Sequence, residues 1–238
     1  MNIALIGYGK MGKEIEQIAL RRGHQIVLKV DEQNALTFTD AELKKADVAI
    51  EFSTPESVYG NIIRCFHAGI PVVAGTTGWS DKIESVRKEC LQNKGAFFYA
   101  SNYSIGVNIF FQLNRFLANI MDRYADYEPS LEETHHIYKK DSPSGTAISL
   151  ANDILGELKR KKNWIEGISD EPSMLQIHSK REGGVPGTHH VKYSSDIDDI
   201  EIIHTAHNRR GFALGAVLAA EFIAGKKGVF GMKDLMGE

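Results

Sequence analysis

The sequence predicts an α/β chain: a doubly wound parallel-sheet region followed by a smaller α+β region. Three observations predict it. Short apolar strands alternate with helical segments through the first hundred residues. Each of those strands is apolar on both faces, as in a parallel sheet covered by helices on two sides. After Asn102 the alternation stops and strand-like segments dominate.

The elements follow in order. "NIALIG" (2–7) is an apolar strand ending in glycine, and "KMGKEIEQIALRRG" (10–23) is a helix. Met11, Ile15, Ile18 and Ala19 share one face of that helix, and Gly23 stops it. "QIVLKVD" (25–31) is β-branched and closes on an acid, and 40–46 is a short helix. Strand 47–53 precedes a helix over 55–69, with Pro55 suited to a first helical position. Strands 70–78 and 95–102 flank a helix at 80–93. Beyond them, 106–125, 144–161 and 212–228 read as helices. Segments 128–136, 173–183, 187–195 and 199–208 read as strands. The division is thus a domain of 1–104 plus 209–238 and a second of 105–208. A four-stranded sheet with one open face calls for a cover, and self-association supplies one.

The chain has 238 residues, 42% hydrophobic and 25% charged, with a net charge of −3. Nothing in that balance suits a nucleic-acid binder. The basic run Lys159–Lys162 reads as a solvated face near a helix C-terminus. The two cysteines form neither a metal motif nor a disulfide framework. There is no secretory leader pattern and no apolar stretch of membrane-spanning length, so a cytoplasmic protein without membrane contact is expected.

"GYGKMG" sets Gly7, Gly9 and Gly12 at G-x-G-x-x-G spacing between a strand and a helix. The first glycine allows the turn, the second admits a pyrophosphate at the helix N-terminus, and the third lets the helix pack on the strand. Asp31 closes the second strand, where a carboxylate accepts hydrogen bonds from ribose hydroxyls. The cofactor is therefore NADH or NADPH. Asp31 and Glu32 repel a 2′-phosphate, whereas Lys29 and Lys10 offset it, and the balance leans to NADH. Strand ends at Phe52–Thr54, Gly75–Thr77 and Ser101–Tyr103 extend the ligand-facing rim.

"EETHHIYKKDSPSGTA" (132–147) gathers acid/base and anion-binding groups. If 131–139 is extended, His135 and Lys139 face one side and His136 the other. His135 is then the proton donor, Lys139 its cationic neighbour, and His136 orients or packs. Ser144, Gly145 and Thr146 begin a helix, either as a plain cap or as a carboxylate site. Seven of the nine histidines lie between 135 and 207. Neighbouring histidines on a strand point apart and no helical H-x-x-x-H is present, so no metal site is expected.

With these residues in view, the sequence resembles the dihydrodipicolinate reductase family along essentially its whole length. The motifs that carry the resemblance are "GYGKMG", "EFSTPES", "AGTTGW", "SNYSIGVN", "HHIYKKDSPSGTA" and Arg209-x-x-Phe212-Ala213. The resemblance implies a Rossmann-type domain, a central substrate domain and a homotetramer. It implies NAD(P)H-dependent reduction of 4-hydroxy-tetrahydrodipicolinate in lysine and diaminopimelate biosynthesis. His135 would be the general acid, with Lys139 beside it and His136, Ser144, Gly145 and Thr146 around a dicarboxylate. Gly7, Gly9, Lys10, Met11, Gly12, Asp31, Gly75, Thr77, Ser101, Asn102, Tyr103 and Arg209 would line the dinucleotide. The segment "EQNALTFT" after Asp31 is short for the family, and Ser142 replaces its alanine. Two other readings of the residues remain: a different two-domain NAD(P) dehydrogenase, or an NAD(H)-sensing protein without chemistry.

Overall fold

The computed structural model describes residues 1–237. They form two compact units, Met1–Ile105 with Arg210–Glu238, and Gly106–Arg209. The first unit runs β1 (Asn2–Ile6), α1 (Lys10–Arg21), β2 (Gln25–Val30), α2 (Asp40–Leu43), β3 (Val48–Glu51), α3 (Val58–Ala68), β4 (Val72–Ala74), α4 (Ile83–Gln92) and β5 (Ala96–Tyr99). The second contains most of α5 (Ile105–Met121), then β6 (Glu128–His135), α6 (Gly145–Glu157), β7 (Asn163–Glu166), β8 (Met174–Arg181), β9 (Gly187–Ser194) and β10 (Asp199–Ala206). The chain then returns to the first unit with α7 (Arg210–Ile223), β11 (Gly228–Phe230) and α8 (Met232–Met236).

The first sheet is wholly parallel, in the order β11-β5-β4-β3-β1-β2. Alternate residues of β1 serve opposite faces. Ile3 and Leu5 pack with Ile15, Ala19 and the small residues of α7, whereas Ala4 and Ile6 pack with Ile62, Val86 and Cys90. Strands buried on both faces explain why they read as unbroken apolar runs. β1 pairs with both β2 and β3, so the chain order reverses there. Such a switch point opens a crevice beyond the strand ends.

β11 is a sixth strand that the sequence does not announce. Three residues, the first of them glycine, carry too little pattern to read, and pairing with β5 makes them a strand. Helix α3 begins at Val58 rather than Pro55, because the Thr54 carbonyl accepts from the Ser57 and Val58 amides and forms a turn first.

The second sheet is mixed, in the order β10-β9-β6-β8-β7, with β7 the fifth strand. Its apolar face (Leu131, Leu175, Ile177, Val191, Tyr193) packs on α6 through Ala147, Leu150, Ala151 and Ile154. The basic run is not simply solvated, as the sequence suggested. Lys161 is buried, and its ammonium donates to Glu128 and to the carbonyls of Pro172 (2.7 Å) and Met174 (3.0 Å). Arg160 donates to the Met121 carbonyl at the end of α5. Packing places these cations inside because backbone carbonyls there need donors. No helix among the described residues is long and apolar enough to cross a membrane.

Gly215 lies where α7 meets the Tyr103 backbone, and a Cβ there would stand 1.7 Å from the Tyr103 carbonyl oxygen. Gly60, in α3, faces open space. Urea denaturation is expected to show Gly215→Ala less stable by roughly 2–3 kcal/mol or more. Gly60→Ala gains about 0.5–1 kcal/mol, since it removes only backbone freedom. Equal effects would contradict the packing role of α7.

Candidate active site

The glycine loop follows from where side chains cannot fit. Gly7 has φ +96°, and a Cβ there would lie 2.0 Å from the Phe52 carbonyl oxygen. A Cβ on Gly12 would lie 2.5 Å from the Gly7 carbonyl. Gly9 differs, because nothing lies within 4 Å of its Cβ position. The α1 N-terminus has no side-chain cap and no acid in its first turn. Open space before uncapped amides suits a pyrophosphate.

A cleft of about 560 Å³ opens at this point, lined by Gly7, Tyr8, Gly9, Asp31, Phe52 and Ser53 among others. Asp31 is exposed at the end of β2, and its carboxylate accepts from the Gln33 amide at 2.9 Å. This arrangement fits a dinucleotide at the β1/β3 switch. Lys29 is committed elsewhere, 2.6 Å from Glu16 and 4.8 Å over the Tyr8 ring.

The other residues expected at the cofactor divide. Lys10, Thr77 and Ser101 are exposed in the first unit, Asn102 there accepts from the Ser104 amide at 2.9 Å, and Arg209 is exposed at the end of the second unit. Met11 packs into the core beside Ile15. Tyr103 is a correction to the rim reading. Its side chain is 2% exposed and its hydroxyl donates to the Ala74 carbonyl at 2.7 Å, so only its backbone can meet a ligand. The absence of a side chain at Gly75 makes room for the Phe52 ring, 2.1 Å from a would-be Cβ. Beneath the rim, buried Glu51 accepts from Thr76 at 2.7 Å and Asn61 at 3.2 Å, and Thr76 accepts from the Ser53 amide at 2.8 Å. That carboxylate joins two rim loops. An acid closing an apolar strand was its only signal in the sequence.

In the second unit, β6 ends at His135. The extended backbone needed to carry Lys139 along with His135 does not persist. The Lys139 amide donates to the His136 carbonyl at 3.1 Å, which makes a turn. Lys139 grips both carboxylate oxygens of Asp141 at 2.7 Å. His136 is half-buried beside Tyr138. Ser144 is buried, and its hydroxyl accepts from the Ala147 amide at 3.1 Å, so it caps α6 rather than facing solvent. Gly145 is exposed with open space at its Cβ position, and Thr146 is half-buried.

His135 is 7% exposed and has neighbours that the sequence did not reveal. Its Nδ1 lies 3.3 Å from Glu133, which is fully buried. Glu133 pairs across the sheet with His189, whose ring centroid is 5.1 Å from that of His135. Arg181 pairs with His135 along β8 and reaches Glu133 at 3.4 Å. Burial raises the Glu133 pKa, but the adjacent His135 imidazole and the hydrogen bonding of Ser144 overcome this and bring it down to about 2. Burial, aided by the charge of His135, pushes His189 down to about 4. The i,i+2 spacing of Glu133 and His135 was visible in the sequence, but the cross-strand partners were not. The donor atoms of Glu133, His135 and His189 lie within 4.8 Å of one another. The Arg181 cation on the carboxylate makes this an acid–base cluster rather than an evident cation site.

Family comparison decides among the dehydrogenase readings. Residues 1–103 match "Dihydrodipicolinate reductase, N-terminus" and residues 106–236 match "Dihydrodipicolinate reductase, C-terminus". The chain belongs to the dihydrodipicolinate reductase family. A relative from Christiangramia forsetii named 4-hydroxy-tetrahydrodipicolinate reductase is 51% identical over 238 residues, covering 100% of this chain and 98% of its own length. One of the same name from Methanosarcina mazei is 34% identical, covering 99% and 89%. The dipicolinate-bound dihydrodipicolinate reductase of Paenisporosarcina sp. TG-14 shares the fold, with a TM-score of 0.78, 21% identity and 98% coverage of both chains. Membership makes the first unit an NAD(P)-binding domain of an oxidoreductase and removes the non-catalytic sensor from the field.

Gly9→Ala adds a methyl group only to the cleft. Thermal unfolding is expected to stay unchanged while NADH binding, followed by calorimetry, weakens roughly tenfold, or about 1.4 kcal/mol. Undiminished binding would remove the pyrophosphate from this loop.

His189 couples the cluster to acid stability. Its pKa is about 6.5 unfolded and about 4 folded, so below pH 6.5 the unfolded chain takes up a proton that the folded chain refuses. Stability is therefore complete above that range and declines as pH falls towards 4, by about 3 kcal/mol for this group. His189→Gln should flatten the decline in urea titrations between pH 6.5 and 4. An unaltered slope would exclude a neutral buried His189.

Proposed function

We propose that this chain catalyses the NAD(P)H-dependent reduction of 4-hydroxy-tetrahydrodipicolinate to tetrahydrodipicolinate, a step of lysine and diaminopimelate biosynthesis. One observation carries the reading beyond family membership. The single buried carboxylate of Glu133 holds both His135 and the Ser144 amide that opens α6. A proton donor and an anion-accepting helix start are thereby tied together, as a dianionic substrate that gains a proton requires.

A bound reduced nicotinamide supplies the hydride. The hydride adds to the conjugated C=C–C=N system left when the 4-hydroxyl departs as water. Electron density then builds on the ring, and His135 discharges it by donating one proton. Lys139 exchanges Asp141 for a substrate carboxylate. The exposed Gly145 amide and the Thr146 hydroxyl take a carboxylate at the α6 start, with His136 alongside. On the cofactor side, Gly7 to Gly12 cradle the pyrophosphate and Asp31 takes the ribose hydroxyls. Thr77, Ser101, Asn102, the Tyr103 backbone and Arg209 complete the rim. Engagement of Lys29 by Glu16 leaves the acidic pair Asp31–Glu32 dominant, which supports NADH over NADPH.

Assembly as a homotetramer belongs to the same reading. The sheet face bearing Glu132, His190, Lys192 and Ile203 lies opposite the α6 face, and Ile203 is 58% exposed on the edge strand β10. A second copy covers such an edge.

His135→Gln is expected to lower turnover by about 10²–10⁴ with NADH binding intact. Pyridine-2,6-dicarboxylate, a planar mimic of the product, should compete with substrate, and kcat/KM should be higher with NADH than with NADPH. Wild-type turnover in His135→Gln would reject His135 as the acid.

A further inference from the structure

Glu133 is a buried charged group that ties His135 to the start of α6, and the proposed chemistry gives it no part in the proton transfer itself. Groups face it from every neighbouring element: His135 on β6 itself, Arg181 from β8 and His189 from β9. Lys139 and Asp141 act from the loop after β6, and His204 on β10 acts on His189.

The two carboxylate oxygens divide these partners. Oε1 accepts from the Ser144 amide at 3.0 Å and lies 3.4 Å from both terminal nitrogens of Arg181. Oε2 lies 3.3 Å from His135 Nδ1 and 3.7 Å from His189 Nε2. His189 Nε2 also lies 3.3 Å from the Ser144 hydroxyl. His135 is the nearer of the two imidazoles to Oε2, and burial keeps His189 neutral, so His135 is the ring that Oε2 holds. The 3.3 Å contact is long, as acid–base contacts often are before substrate binds. The Nε2 end of the His135 ring lies against Gly187, where a Cβ would approach to 3.0 Å. The missing side chain leaves that nitrogen room.

We infer that Glu133 is a positioning residue for the reduction: Oε2 fixes the proton on Nδ1 of His135 so that Nε2 serves the substrate, while Oε1 ties the ring to the start of α6. The inference rests on the reading of His135 as proton donor. A carboxylate at Nδ1 selects the tautomer, sets the ring orientation and stabilises the imidazolium. Donation to substrate then runs from Nε2, which regains its proton from solvent, and no other reactant is needed.

Two measurements test this. In the wild-type chain, ¹⁵N NMR of labelled histidine reads the neutral tautomer of His135. Protonation at Nδ1 is expected, and protonation at Nε2 overturns the inference. In Glu133→Gln the alkaline limb of the kcat–pH profile should move down by about one unit or more, because an opposite charge has been removed. NADH affinity should be unchanged, and Glu133→Asp should restore part of the limb. An unmoved limb in folded Glu133→Gln overturns the role, and if that variant does not fold, the tautomer decides alone. His135→Gln separates the two claims. Normal turnover there defeats the acid assignment itself, whereas lost turnover with an unmoved Glu133→Gln limb removes only the role of Glu133.

Discussion

A carboxylate without access to water must be matched by its neighbours, and the second unit is organised around one such match. Glu133 has no exposed surface, yet it stays ionised because the His135 imidazole and the hydroxyl and amide of Ser144 converge on it, with the Arg181 guanidinium 3.4 Å away. Desolvation alone would neutralise it, and the directed hydrogen bonds prevail. Three elements meet at that one group: the end of β6, the start of α6 eleven residues on, and, from far along the chain, the end of β8. Removing any one partner would leave charge buried and unmatched, which is why the geometry around His135 is defined.

The first unit works by the opposite device, the absence of atoms. Gly7 and Gly12 are excluded from bearing side chains by backbone carbonyls, and Gly9 by nothing but the cleft. The parallel sheet supplies the crevice, because its order reverses beside β1. Glu51, fully buried like Glu133, holds the loops after β3 and β4 through Thr76. In each unit a buried carboxylate fixes a site that it does not itself present to solvent.

Much of this was legible in the residues. The glycine spacing, the acid closing β2 and the alternation of strand and helix are local patterns. Local sterics and periodicity leave few alternatives for them. The string from His135 to Ala147 carries residue types suited to acid–base and anion-binding work, and that much is visible in the sequence alone. What was not legible depended on pairing. β11 and β7 are too short to carry a period and exist because a neighbouring strand completes their hydrogen bonds. Lys161 looked solvated because sequence shows its charge and not the carbonyls of Pro172 and Met174. Tyr103 looked like rim because it sits at a strand end, and only the core shows its hydroxyl turned inward.

The sequence by itself determined the two-part α/β architecture, the glycine loop between β1 and α1, and which residue types stand close together between His135 and Ala147. Those follow from backbone sterics, hydrophobic periodicity and side-chain chemistry, all properties of contiguous residues. Tertiary structure alone decided which groups surround His135. Arg181 and His189 lie 46 and 54 residues further along the chain, and strand register brings them within reach of Glu133. Register arises from the summed pairing of whole strands, so no short stretch of sequence encodes it.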